Sequence, residues 1–270
     1  MSVTIFIPAR YASSRYPGKP LAGLTGATGE EKSLIRRSWE AACAVSGVDR
    51  IAVATDDDRI ADHARDFGAE VVMTSPAARN GTERCAEAWT QTAAQDANGD
   101  DPIIVNLQGD APLTPPWFVE ALIAAMRAAP DACMATPVLL CDAEALRGFQ
   151  ADRAAGRVGG TTAVIRPDGG AIYFSKEVLP YTPADWSGEA PEVWHHVGVY
   201  AYRPSALTAY AAWAEGPLER REGLEQLRFL ENGAEVLCAP VEARGVAFWE
   251  LNNPEDHPRI EAELKRRGAV

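Results

Sequence analysis

The stretch VTIFIPARYASSRYPGKPL, residues 3–21, decides how the chain begins to fold. Its first part, Val3–Ile7, is the short apolar run of a strand that is buried on both faces. The loop that follows carries Arg10, Arg15 and Lys19. Ligands of parallel sheets bind beyond the carboxyl ends of the strands, and guanidinium and ammonium groups bind phosphate oxygens well. The stretch therefore predicts an anion-binding loop, although charge alone favours a solvated basic surface loop.

Short apolar runs alternate with helical patterns through the first half of the chain. Strands are predicted at 51–55, 70–73 and 102–107. Helices are predicted at about 31–45, over a stretch that ends at residue 67, at about 81–94 and from 115 onward. Asp56 or Asp57 is expected to cap the second of these helices. This alternation is typical of an α/β fold in which helices cover both faces of a mainly parallel sheet.

The pattern changes after Pro137. Residues 141–160 are polar and rich in glycine. Strands are predicted on either side of a turn at 167–170, at 197–202 and at 236–239, and helices at about 204–213, at 218–231 and from 254 onward. We interpret residues 1–270 as a single domain that contains a smaller β-rich lobe at approximately 140–215.

The composition argues against several classes of protein. Hydrophobic residues make up 47% and charged residues 24% of the chain, as in a globular protein with a sizeable core. The net charge of −12 argues against nucleic-acid binding, which needs a basic face. No apolar run approaches the roughly 20 residues that span a bilayer. Five scattered cysteines without CxxC spacing are typical of a reducing compartment. We expect a cytoplasmic protein that has no nucleic-acid or membrane partner and binds a small anion at its basic loop.

Five motifs, spread over nearly the whole chain, are specific enough to indicate a family. They are PAR-x-x-S-S-R-x-P-G-K-P-L after the first strand, NGTER at 80–84, VNLQGD at 105–110, HVGVY at 196–200 and LEQLR at 224–228. In this order they resemble the motifs of the 3-deoxy-manno-octulosonate cytidylyltransferases, the CMP-sugar-acid synthetases of lipopolysaccharide biosynthesis. The resemblance implies a Rossmann-like nucleotidyltransferase fold and a homodimer formed through the lobe. It also implies a Mg²⁺-dependent transferase that joins CMP from CTP to a sugar acid and releases pyrophosphate.

The resemblance assigns roles to individual side chains as well. The implied catalytic residues are Lys19, Arg10 and Asp110. The implied nucleotide-binding residues are Ala9, Arg10, Arg15, Lys19, Arg79, Asn80, Gly81, Thr82 and Gln108; the acceptor-binding residues are His196, Tyr200, Glu225 and Gln226; and the metal ligands are Asp110 and Asn252.

Each of these roles competes with an ordinary structural one. Asp110 also suits the capping of a loop, and Asn80 suits the cap of a helix. Gln108 is expected to contact the cytosine or the ribose, and a buried structural amide is the alternative. His196 and Tyr200 lie in a predicted strand, where the side chains of a core are also expected.

The chain departs from the family pattern at several positions. Ala111 stands where the family has a glutamate, and His195 where it commonly has an arginine. The segment 161–164 aligns with a lysine-containing V-K-V-V. Asn252 replaces the aspartate that is expected to be the second metal carboxylate. Glu250, two residues earlier and on the same face if this segment is a strand, is the candidate to compensate.

These departures leave the acceptor open. We expect 3-deoxy-manno-octulosonate or a close relative, such as an amino-substituted or a nine-carbon ulosonate. The alternatives are a nucleotidylyltransferase with a different base or acid acceptor, and a CTP-binding protein that has lost catalysis. A dinucleotide-dependent oxidoreductase is disfavoured because the first strand is not followed by GxGxxG.

Overall fold

The computed structural model describes residues 1–13, 15–93, 101–158, 160–183 and 192–269. Ser14 of the basic loop lies outside these ranges, as does Ala94 at the end of the predicted helix 81–94. Residues 159 and 184–191 of the predicted lobe also lie outside them.

Twelve strands are present in the described part of the chain. They are β1 Val3–Ala9, β2 Gly23–Thr25, β3 Glu31–Ser33, β4 Arg50–Thr55, β5 Glu70–Met73, β6 Ile103–Leu107, β7 Met134–Leu140, β8 Thr161–Ile165, β9 Ala171–Ser175, β10 Trp194–His196, β11 Val199–Tyr202 and β12 Val236–Val241. The α-helices are α1 Leu34–Cys43, α2 Asp58–Asp66, α3 Gly81–Thr92, α4 Pro116–Ala128, α5 Ala143–Ala154, α6 Pro204–Ala212, α7 Pro217–Glu222, α8 Leu227–Glu231 and α9 His257–Arg266.

Ten of these strands form one mixed sheet in the order β5-β4-β1-β6-β11-β7-β10-β8-β9, with β12 paired to β7. The first four strands in this order are parallel, as the sequence predicts. From β11 onward the ladders are antiparallel except for the parallel pair of β7 and β12. The strands of the predicted lobe thus continue the main sheet.

The core lies on both faces of the sheet because neighbouring residues of β1 point to opposite sides. Ile5 and Ile7 pack into one cluster of buried side chains, together with Phe118 and Leu122 of α4. Phe6 packs into the other, which also receives side chains from α3, α6 and α8. Every residue of β1 is buried, as expected for a strand with helices on both faces.

Several elements differ from their prediction. Strands β2, β7 and β10 were not predicted, and the strand predicted at 197–202 begins at Val199. The predicted helix 31–45 begins later, because Glu31–Ser33 pairs with β2 and the Ser33 side chain caps α1. The stretch 141–160 contains α5, which Asp142 caps and which has no buried side chain. A helix without an apolar stripe has no 3.6-residue hydrophobic period, so the sequence gives no sign of it. The predicted helix 218–231 is divided into α7 and α8, because α7 ends at Gly223 with a positive φ of 64°.

Candidate active site

A cleft lies where β1, β6 and the N-terminus of α3 meet. The predicted nucleotide residues converge there from three segments far apart in the chain. Its lining includes Ala9, Arg10, Arg15, Lys19, Arg79, Asn80, Gly81, Gln108 and Asp110. Thr82 is buried behind this wall. The position agrees with the rule that ligands of α/β sheets bind beyond the carboxyl ends of the strands.

Lys19 and Asp110 form the central ion pair of this cleft. The Lys19 Nζ lies 2.6 Å from Asp110 Oδ2, and both side chains are partly exposed to the cleft. Gly18 makes the preceding turn with a φ of 71°, and its N–H donates to the Tyr11 carbonyl at 2.9 Å. A positive φ is far easier for glycine than for other residues, so the glycine of the PGKPL motif sets the path that leads to Lys19.

Two further glycines allow segments of the cleft to approach closely. A Cβ at Gly109 would lie 2.6 Å from the carbonyl oxygen of Pro8, so the turn after β6 packs directly on the end of β1. A Cβ at Gly81 would lie 2.9 Å from the Gln108 Nε2. The glycines of the VNLQGD and NGTER motifs therefore bring Asp110 and Gln108 into the same cleft.

The N-terminus of α3 forms one wall of the cleft. Asn80 caps this helix, because its Oδ1 accepts from the Glu83 N–H at 2.8 Å. The helix cap was the structural role predicted for this residue. The Asn80 Nδ2 donates to the Tyr210 hydroxyl at 2.8 Å. The Thr82 N–H donates to a Glu225 carboxylate oxygen at 3.0 Å. The helix end is thus tied to the segment between α7 and α8.

A second cleft adjoins the first and holds most of the predicted acceptor residues. Tyr200, Glu225 and Gln226 line it, and it shares Arg79 and Asn80 with the first cleft. The Tyr200 hydroxyl donates to Gln226 Oε1 at 3.2 Å. Burial raises the pKa of Glu225. The two clefts are side by side, so ligands bound in them would lie next to each other.

His196 occupies a different position from the other predicted acceptor residues. It is buried, it lines neither cleft, and its Nε2 lies 3.0 Å from the Thr136 Oγ1. Its ring packs against Phe174 at 5.0 Å and against Tyr200 at 5.6 Å between centroids. Its acceptor role stays a prediction, and any influence on a ligand would pass through Tyr200.

The buried His196 should make the stability of the protein depend on pH. Burial lowers its pKa from 6.5 to about 3, so the ring stays neutral in the folded protein, while the unfolded chain takes up a proton below pH 6.5. Its contribution to the free energy of unfolding therefore falls by about 2 kcal/mol between roughly pH 7.5 and pH 5. Urea unfolding of the wild type and of His196→Gln at both pH values measures this difference. Equal pH dependence in the two proteins would contradict it.

Asn252 and Glu250 approach the Lys19–Asp110 pair from the C-terminal part of the chain. The Asn252 Oδ1 accepts from Arg15 Nη2 at 3.2 Å, and its Nδ2 donates to Glu250 Oε2 at 3.4 Å. Burial, followed by the negative charge of Asp110, raises the pKa of Glu250 to about 7. In the described residues no group of three or more His, Cys, Asp or Glu is arranged as a metal site. The carboxylates of Asp110 and Glu250 and the amide of Asn252 nevertheless fit Mg²⁺, which binds one or two carboxylates together with phosphate oxygens and water.

Arg84 was not among the residues predicted for the site. It lines the first cleft, is 3% exposed, and its Nη2 lies 3.3 Å from Asp56 Oδ1. It is the last residue of the NGTER motif, so its membership of this motif could have indicated that it belongs to the site. Asp57 caps α2, which confirms the capping prediction for this aspartate run.

Comparison with known proteins shows the family to which the chain belongs. The profile of a family described as cytidylyltransferase matches residues 4–236. A 3-deoxy-manno-octulosonate cytidylyltransferase of Maricaulis maris (strain MCS10) is 43% identical over 270 residues, which is 100% of both chains. One from Anaeromyxobacter dehalogenans (strain 2CP-1 / ATCC BAA-258) is 42% identical over 97% of both chains.

The chain belongs to the 3-deoxy-manno-octulosonate cytidylyltransferase family.

A solved structure supports the same assignment. The CMP:2-keto-3-deoxy-manno-octonic acid synthetase complexed with CTP has a TM-score of 0.82 to this chain at 31% identity. The match covers 99% of this chain and 100% of that one. The α/β nucleotidyltransferase fold and the enzyme class that the sequence motifs imply are thereby confirmed for this cytidylyltransferase. Within its described residues, no helix is both long and apolar enough to cross a membrane.

Proposed function

We propose that this cytidylyltransferase transfers CMP from CTP to 3-deoxy-manno-octulosonate and releases pyrophosphate. The observation that carries the proposal is the pair of adjoining clefts. One contains Arg10, Arg15, Lys19 and Asp110, and the other contains three of the four side chains predicted to bind the acceptor, Tyr200, Glu225 and Gln226. The shared wall would hold a nucleotide and a sugar acid next to each other, as direct transfer between them requires.

The proposed reaction is an in-line displacement at phosphorus. A hydroxyl oxygen of the sugar acid forms a bond to the α-phosphorus of CTP, the bond to the bridging oxygen breaks, and pyrophosphate leaves with the electron pair. The proton of the hydroxyl is released to water. Negative charge builds on the phosphate oxygens during this step, and cationic groups stabilise it most when they are already in place. Lys19, Arg10 and Arg15 are cations of this kind in the first cleft.

We propose Mg²⁺ as the cofactor, held next to Asp110 and the segment that contains Asn252. The carboxylate and amide oxygens there are the hard donors that Mg²⁺ prefers. When bound, the ion would neutralise charge on the phosphate groups. Lys19 contributes separately, since its ammonium pairs with Asp110 and holds that carboxylate in place.

We also propose a homodimer and a cytoplasmic location. Leu140, Val158, Ile172 and Tyr181 are large apolar side chains that are exposed in the region of the predicted lobe. Exposed apolar groups concentrated in one region are typical of a protein interface. All five cysteines are free, as is usual in a reducing compartment.

Release of pyrophosphate tests the reaction. The purified protein is expected to release pyrophosphate from CTP and Mg²⁺ only when 3-deoxy-manno-octulosonate is present, and UTP and GTP are expected to be poor substrates. A reaction without the sugar acid is the control. Release that is independent of the acid, or seen only with another ulosonate, would overturn the proposed acceptor.

A further inference from the structure

We propose that Glu250, and not Asn252, supplies the second carboxylate to the metal ion of this active site. The inference rests on the proposed function, because it deepens the metal site that this function requires. The relevant segment is FWELNNPED, residues 248–256, which follows β12 and leads into α9. Within it, Glu250 and Asn252 are the two side chains that approach Asp110.

The side chain of Asn252 lies between Arg15 and Glu250. Its Oδ1, the only atom of this side chain that can bind a cation, accepts from Arg15 Nη2 at 3.2 Å. Its Nδ2 donates to Glu250 Oε2 at 3.4 Å, and its N–H donates to Asp256 Oδ2 at 2.9 Å. These bonds make Asn252 a positioning residue that connects the arginine to the glutamate.

The backbone places Glu250 beside the Lys19–Asp110 pair. The Leu251 N–H donates to the Asp110 carbonyl at 2.9 Å, so the two segments run next to each other at this point. Leu251 is fully buried. Residues 248–252 belong to no strand. Glu250 and Asn252 flank Leu251 in the chain, so the backbone of both lies next to Asp110.

A glycine makes room for the Glu250 carboxylate. A Cβ at Gly198 would lie 2.9 Å from the Glu250 Oε1, and any other residue there would push the carboxylate away. Gly198 directly precedes β11, in the middle of the HVGVY motif. The glycine therefore provides the space that the Glu250 carboxylate occupies.

The donor set that results is chemically complete for Mg²⁺. Asp110 and Glu250 bring two negative charges, whereas Asp110 and Asn252 would bring one. Two carboxylates together with phosphate oxygens and water are a common set of ligands for this ion. The positive charges of Lys19 and Arg15 lie beside these residues and balance them before the ion and the triphosphate bind.

Binding of Mn²⁺, measured by electron paramagnetic resonance with CTP present and the sugar acid absent, tests the assignment. Glu250→Gln keeps the shape of the side chain and is expected to weaken Mn²⁺ binding at least about tenfold. Asn252→Ala is expected to weaken it less than Glu250→Gln does, because this side chain acts on the metal only through Glu250. Glu255→Gln, an exposed position in the same segment, is the matched control.

The double variant Glu250→Gln/Asn252→Asp provides a rescue. It returns a carboxylate to the neighbouring position and is expected to bind Mn²⁺ more tightly than Glu250→Gln alone. If Asn252→Ala weakens Mn²⁺ binding at least tenfold while Glu250→Gln leaves it unchanged, the assignment is wrong. Since no acceptor is present, the result is independent of the acid that the enzyme uses. Failure of the proposed acceptor and failure of this metal assignment are therefore separate outcomes.

Discussion

Lys19→Ala is expected to lower kcat for pyrophosphate release by about 10²–10³-fold, the usual cost of removing one positioned group that stabilises transition-state charge. Lys19 is the ammonium at the centre of the first cleft, 2.6 Å from Asp110. Its removal takes away a cation that faces the phosphates and also frees the Asp110 carboxylate. Both effects act on the transition state, where the charge on the phosphates is greatest, so kcat should fall more than the affinity for CTP.

Steady-state kinetics with CTP and the sugar acid measure this loss, and calorimetric titration with CTP measures binding separately. Lys32→Ala is a suitable control, because Lys32 also forms an ion pair, with Glu40 at 2.9 Å, but does not line the cleft. The control should keep its kcat. A Lys19→Ala enzyme that retains more than about a third of the wild-type kcat would show that the ammonium does not act on the reacting phosphates.

Arg228→Met is expected to lower the free energy of unfolding by about 3–5 kcal/mol. Arg228 is 1% exposed and donates to both carboxylate oxygens of Glu219, at 2.6 and 2.7 Å. It also donates to Glu83 Oε1 at 3.1 Å, and its guanidinium lies 4.0 Å from the centre of the Tyr210 ring. Without the guanidinium, the carboxylate of Glu219 is left buried and unpaired, which is the costly step.

Urea unfolding followed by circular dichroism measures the loss. The double variant Arg228→Met/Glu219→Leu removes both charges and should recover part of the stability, because apolar residues can replace a buried ion pair at little cost. Arg166→Met breaks an exposed pair with Asp168 and should change the stability by less than about 1 kcal/mol. A double variant less stable than Arg228→Met would show that the unpaired carboxylate is not the source of the loss.

The sequence predicted the parallel half of the sheet well because each of its strands carries a local sign. Val3–Ile7 is apolar at every position but Thr4, and Pro8 follows it directly. The clustering of Arg10, Lys19 and Asp110 was also predictable, since the carboxyl ends of neighbouring parallel strands meet at one edge. In both cases the prediction rests on short motifs, each of which contains only a few consecutive residues.

The parts of the fold and of the site that the sequence did not predict depend mostly on contacts between distant segments. Arg15 and Asn252 are 237 residues apart, and their hydrogen bond follows from the path of the whole chain. The place of His196 beside Thr136 depends on the register of β10 against β7, which no local pattern determines. Helix α5 was missed for a different reason, since it buries no side chain and therefore has no apolar stripe.

The shared wall between the two clefts limits how the substrate range of this enzyme can be redesigned. Arg79 and Asn80 line both clefts, so a substitution at either position alters the surroundings of the nucleotide and of the acceptor together. Ser13 and Ala78 line only the first cleft, and Leu224 and Gln226 only the second. A library aimed at the first cleft alone should therefore vary Ser13 and Ala78, and one aimed at the second cleft alone should vary Leu224 and Gln226, while residues 79 and 80 are kept fixed.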